Sequence, residues 1–137
     1  MKLITFTDGG ARGNPGPAAA GIVIKNESGA TVESFGVYLG EKTNNFAEYT
    51  ALIEALEKTN NLGATEVECF LDSELVVKQM RREYKVKEPD LQKLFIKAFN
   101  AASKFKKVSY RHIPREKNRE ADAEVNKTLD AQLKNSP

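Results

Sequence analysis

Between Leu39 and Phe46 the apolar residues of this chain change their spacing from strand-like to helix-like, and that switch constrains the fold most. Before it, three segments read as strands. Leu3 to Thr7 is short and apolar, and Ala18 to Lys25 is almost continuously apolar until the turn cluster Asn26-Glu27-Ser28-Gly29. Val32 to Leu39 follows with rough alternation, so the three should form an antiparallel meander. After the switch, Asn45 followed by Glu48 reads as a capping box. Phe46, Leu52, Ile53 and Leu56 then recur at helical spacing until Asn60-Asn61-Leu62-Gly63 stops the helix. A strand at Glu66 to Leu71 comes next, then helices from Ser73 to about Glu83 and from Pro89 to about Lys104. A strand at Val108 to Ile113 and a helix from about Asn118 to Leu133 complete the pattern. Strands followed by alternating helices and strands predict an α/β chain with a mixed five-stranded sheet. Right-handed crossovers would make the first, fourth and fifth strands parallel, with their C-terminal ends on one edge. Ligands of open α/β sheets collect at that edge.

Length and charge bound the rest. At 137 residues the chain fits a single domain, 1–137, with its core over about 2–133. A charged share of 29% beside 40% apolar residues is that of an ordinary globular protein. The net charge of +2 argues only weakly for a polyanionic partner. Its distribution says more: Arg81, Arg82, Lys85 and Lys87 form one basic stretch, and Lys104, Lys106, Lys107, Arg111, Arg115, Lys117 and Arg119 another. Such a face can follow phosphates, or it can be ordinary solvated surface. The single cysteine, Cys69, excludes a disulfide framework and reads as a small buried hydrophobe. No signal-peptide pattern or membrane-length apolar run is visible, so a cytoplasmic protein without a membrane partner is expected.

Four acids sit where carboxylates are uncomfortable. Asp8 and Asp72 fall where apolar strands end, and Glu48 and Asp122 fall on the apolar stripes of helices. Each has an ordinary explanation: a turn starter for Asp8, a cap for Glu48 and Asp72, and the favourable helix dipole for Asp122. Yet Glu48 lines up with Leu52 and Ala55, and Asp122 with Leu129 and Leu133. The fold sketch brings all four to one sheet edge. Buried carboxylates that converge require a positive partner, and oxygen ligands suit Mg²⁺ or Mn²⁺.

The segments that carry these acids are Thr7-Asp8-Gly9-Gly10 through Asn14-Pro15-Gly16, Thr43-Asn44-Asn45-Phe46-Ala47-Glu48, Leu71-Asp72-Ser73, and His112-Ile113-Pro114-Arg115 through Asn118-Arg119-Glu120-Ala121-Asp122. Together, in order from Lys2 to about Leu129, they resemble type 1 ribonuclease H. The resemblance implies strand order 3-2-1-4-5, with the first three strands antiparallel and helices on both faces. It implies endonucleolytic, largely sequence-independent hydrolysis of the RNA strand of an RNA–DNA hybrid, leaving 5′-phosphate and 3′-hydroxyl ends. Two Mg²⁺ ions, with Mn²⁺ as the alternative, would serve as cofactors. Asp8, Glu48, Asp72 and Asp122 match the family's metal-binding carboxylates, with Asp8 bridging. His112, ten residues before Asp122, matches in spacing an auxiliary catalytic histidine, and Arg115 is the alternative for that task. Asn14, Asn44 and Asn45 match positions that contact nucleic acid, joined by Gly9, Gly10, Arg12, Ser73 and Arg115. Glu74 stands where some members carry a Gln that touches RNA, and the stretch from Arg82 to Asp90 is shorter than the basic protrusion of some bacterial members. Modest, salt-sensitive affinity is therefore expected, from a monomer. Cleavage of double-stranded RNA stays open. The rivals are another nuclease of the same sheet, such as a resolvase or exonuclease, and a binding module that has lost turnover.

Overall fold

The computed structural model describes residues 1–134. Its sheet has the order β3-β2-β1-β4-β5. The strands are β1 (Lys2–Ala11), β2 (Gly16–Lys25), β3 (Thr31–Lys42), β4 (Glu66–Leu71) and β5 (Lys107–His112). Four helices connect or follow them: α1 (Asn44–Asn61), α2 (Glu74–Met80), α3 (Pro89–Ala102) and α4 (Arg119–Lys134), with a 3₁₀ turn at Arg115–Lys117. β1 pairs antiparallel with β2 and β2 with β3, whereas β1, β4 and β5 run parallel. The meander and the parallel half thus have the predicted directions, and the period switch marks their junction. Among the described residues no helix is long and apolar enough to cross a membrane.

β1 and β3 exceed their predicted bounds the most. β1 continues past Thr7 to Ala11 because Gly9, Gly10 and Ala11 stay in register with Ala20, Ala19 and Ala18 of β2. A glycine run that looks like a loop is here a strand whose partner also has small side chains. β3 runs on to Lys42 for the same reason, its last residues pairing with Gly16 to Ala18. Helix ends shift too. The cap of α1 is Thr43, whose Oγ1 accepts from Phe46 N at 3.2 Å, and the expected Asn45–Glu48 box does not form. Ser73, not Asp72, caps α2 by accepting from Val76 N at 3.2 Å. α2 stops at Met80, short of Glu83, where Arg82 takes a left-handed φ of 67°.

The sheet is covered unequally. α1, α2 and α3 bury the larger core on one face, with Leu3, Ile22 and Ile24 of the sheet packed against Tyr49, Leu52 and Leu56 of α1. Each fully buried Leu or Ile there contributes about 1.5–3 kcal/mol. Tyr49 Oη donates to Gln79 Oε1 at 2.6 Å, which locks α1 to α2 inside this layer. Cys69 is fully buried, as expected. On the other face α4 stands alone, placing Val125 and Leu129 over Ala19. Gly21 makes this possible: any Cβ there would strike the main-chain oxygen of Ala121, so α4 lies directly on the β2 backbone. Leu133, expected on the inward stripe, is exposed.

Candidate metal centre

The parallel register places the first two acids. Thr7 pairs with Leu71, so Asp8 and Asp72, one residue further along β1 and after β4, emerge side by side at the C-terminal edge. Glu48 arrives from the first turns of α1. Gly9 lets it come close, since a Cβ at that position would collide with the main chain of Ala47 and Glu48. The Gly9 N–H then donates to Glu48 Oε1, and this bond, not helix capping, holds the side chain inward. One ligand oxygen from each of Asp8, Glu48 and Asp72 lies within 4.8 Å of the others. Asp122 joins from the first turn of α4. It lines the same cleft of about 480 Å³ but stands outside that tight triad, and its Oδ2 accepts from Asn126 Nδ2 at 3.3 Å.

Burial decides the electrostatics. Asp8 is 5% and Glu48 9% exposed, and among the described residues neither forms a salt bridge. Removal from water pushes the Asp8 carboxyl up to about 7, and the neighbouring Asp72 and Asp122 add to the rise. Glu48 is pushed well above the usual carboxylate range, again first by burial and then by Asp8 and Asp72. Their mutual hydrogen bond lowers Asp8 and raises Glu48. A set of hard oxygen donors crowded together out of water suits divalent cations such as Mg²⁺ or Mn²⁺, which bind in competition with protons.

The remaining expected site residues divide. Gly9, Gly10, Arg12, Asn44, Asn45, Ser73 and Arg115 all line the carboxylate cleft. Asn14 does not; its Oδ1 accepts from Asn44 N at 3.0 Å and so ties the β1–β2 turn to the start of α1. His112 does not either. It ends β5 in a separate groove with Met80, Arg81, Tyr110 and Arg111. Main-chain donors near the glycine run are mostly consumed within the fold: Gly9 N by Glu48, Ala11 N by Asn44 Oδ1 at 2.8 Å, and Arg12 N by Pro17 O at 2.8 Å. Sequence reasoning missed Asn118, which is buried and donates to Thr7 O at 2.8 Å and Asp72 Oδ2 at 3.3 Å. An asparagine just before a helix is an ordinary residue for that place, and nothing local signals a bond to residue 7.

Known proteins are similar to this chain in sequence and fold. A family profile described as reverse transcriptase-like matches residues 6–128. The N-terminal ribonuclease H domain of a Mycobacterium tuberculosis protein superposes with a TM-score of 0.90 at 42% identity, covering 93% of this chain and 98% of that one. Ribonuclease H1 of Halobacterium salinarum superposes at 0.93 with 40% identity over 96% and 99% of the two chains. A third neighbour, LC11-RNase H1 in complex with an RNA/DNA hybrid, gives 0.91 at 48% identity, covering 96% and 99%. Among curated sequences, the bifunctional M. tuberculosis protein is 45% identical over 96% of this chain, which spans 36% of its length. Ribonuclease HI of H. salinarum is 42% identical over 94%, the chain spanning 65% of its length.

Proposed function

This chain belongs to the ribonuclease H family, and from that premise we propose that it is a metal-dependent endonuclease that hydrolyses the RNA strand of RNA–DNA hybrids. The observation that carries the reading is the triad of buried Asp8 and Glu48 with half-buried Asp72, with Asp122 beside it in one open cleft. A binding module gains nothing from acids clustered against a polyanion; a hydrolase needs them. Two divalent ions, Mg²⁺ or Mn²⁺, held by these carboxylates would supply Lewis acidity to the attacking water, the phosphate and the departing 3′-oxygen. Asp8, central to the cluster and flanked by the other three, is the carboxylate suited to serve both ions.

The chain's own groups do the rest. Attack of water on phosphorus with loss of the 3′-oxygen leaves a 5′-phosphate and a 3′-hydroxyl. Glu48, fixed by the Gly9 N–H, and Asp72, bonded by Asn118, hold their oxygens in place before substrate arrives. Arg115 and Arg12 bring positive charge to the cleft for the phosphate oxygens. Of the two candidates for the auxiliary task, Arg115 has the position, since it shares the cleft and His112 does not. Asn44 keeps its Nδ2 donor after its Oδ1 has accepted from Ala11, and Asn45 lines the cleft beside it. Amides of this kind suit 2′-hydroxyls, which mark RNA and carry no base identity. The decisive experiment incubates end-labelled RNA–DNA, RNA–RNA and DNA–DNA duplexes with Mg²⁺, Mn²⁺ or chelator. Cleavage of the hybrid's RNA strand alone, at many positions and silenced by chelator, is the expected result; binding without cleavage under every metal condition refutes it.

A further inference from the structure

Asn118 is 1% exposed yet polar, and it touches three of the segments that carry the acids. Its Nδ2 donates to Thr7 O, immediately before Asp8, at 2.8 Å and to Asp72 Oδ2 at 3.3 Å. Its main-chain oxygen accepts from Asp122 N at 3.1 Å, which sets the first turn of α4. Both side-chain partners are acceptors, so the amide can sit only with its nitrogen toward them. Oδ1 on the other side is buried and, among the described residues, has no hydrogen-bond partner. Such an atom costs about 1–3 kcal/mol, which a small apolar side chain would avoid. Packing therefore does not explain an asparagine here, whereas a donor shared between Thr7 O and Asp72 Oδ2 does.

Resting on the metal-dependent reading above, we propose that Asn118 is a positioning residue: it fixes Asp72 in its ligating orientation against the Asp8 strand end and thereby sets the affinity of the acid cluster for divalent cations. It acts through Asp72. Hydrogen-bonding partners of metal ligands commonly change affinity by about 10–100-fold when removed.

The test titrates Mn²⁺ and Mg²⁺ into substrate-free protein by calorimetry and by melting temperature, for wild type, Asn118→Ala, Asn118→Ser and the control Thr59→Ala. Thr59 is equally buried and bonds Ala55 O at 2.8 Å near the far end of α1, so its loss reports on stability alone. Asn118→Ala should bind metal about tenfold or more weakly, with kcat partly restored by excess metal and KM for the hybrid unchanged. Asn118→Ser should fall between, and Thr59→Ala should melt earlier while binding metal as wild type does. Should neither Asn118 variant fold, the side-chain amide resonances of Asn118 in the wild-type protein decide: they should shift on adding Mg²⁺. Variants with wild-type metal affinity, or amide resonances that do not move, overturn the proposal while leaving the nuclease reading intact. A wild-type protein that neither binds metal nor cuts hybrid overturns both.

Discussion

At Asp8, on the proposed reading, a proton and a metal ion would compete for the same oxygens. Its carboxyl, ordinarily near 3.8, is pushed to about 7 by burial and by Asp72 and Asp122. The folded protein thus holds this proton more tightly than the unfolded chain does. The associated stability is fully present below about pH 4 and is lost as pH rises through about 7. Asp8→Asn removes the charge, so in chelator its melting temperature should equal the wild type's near pH 4 and exceed it by pH 8. Its turnover should be abolished. A difference that is flat with pH would refute the shift, and wild-type cleavage would refute the bridging role. A second comparison separates the auxiliary candidates. Arg115→Ala should lower kcat/KM by about 10²-fold, in the range for one lost charge-stabilising group. His112→Ala, in the neighbouring groove, should stay within about threefold, well under a 1 kcal/mol change. Reversed magnitudes in steady-state assays would return the task to His112.

At the scale of elements, the site depends on how closely helices approach the sheet. α1 can deliver Glu48 only because Gly9 has no side chain to hold it off. Gly9→Ala should therefore push α1 outward and break the Gly9–Glu48 bond. Displacements of about 1 Å cost roughly 10²-fold in rate. Melting curves should show a folded protein that no longer gains stability on adding Mg²⁺. A Gly9→Ala protein with the full metal-induced shift would show that close approach is not what places Glu48. The same logic holds on the other face, where Gly21 seats α4 and with it Asp122. Thr43 and Ser73 carry the caps that the sequence pattern assigned to Asn45 and considered for Asp72. The displacement has a consequence: with capping done elsewhere, Glu48 and Asp72 are free for the cleft.

For the whole molecule, the net charge of +2 hides a division between an acidic floor and cationic side chains at its margin. Two of these, Arg12 and Arg115, line the cleft, although Arg12 also pairs with Asp130 at 2.7 Å. Each phosphate neutralised adds about 0.9 to the slope of log affinity against log salt, so two contacts predict about a tenfold loss between 50 and 200 mM. Binding to a hybrid measured over that range should show this modest slope, and Arg115→Ala should reduce it by about one unit. A slope several times steeper would require cationic contacts well beyond the cleft, with the basic stretches at Arg81 to Lys87 and Lys104 to Arg119 as the first candidates.

The order and direction of the elements were legible in the chain because hydrophobic period is a local property: it alternates in Val32 to Leu39 and turns helical at Phe46 whatever lies opposite. The four acids were legible as misfits for a similar reason, being polar residues on apolar stripes or at strand ends. The extension of β1 through Gly9 to Ala11 was not, since small residues carry no period and only pairing with Ala18 to Ala20 makes them a strand. Nor was the separation of His112 from Arg115, which are three residues apart in sequence yet open into different cavities. Asn118 was hidden most completely. Hydrogen bonds to Thr7 and Asp72 join residues brought close only when α4 docks on the sheet. Sequence alone determined which carboxylates a fold of this kind must gather; tertiary packing decided how they are held, because orientation comes from neighbours remote along the chain.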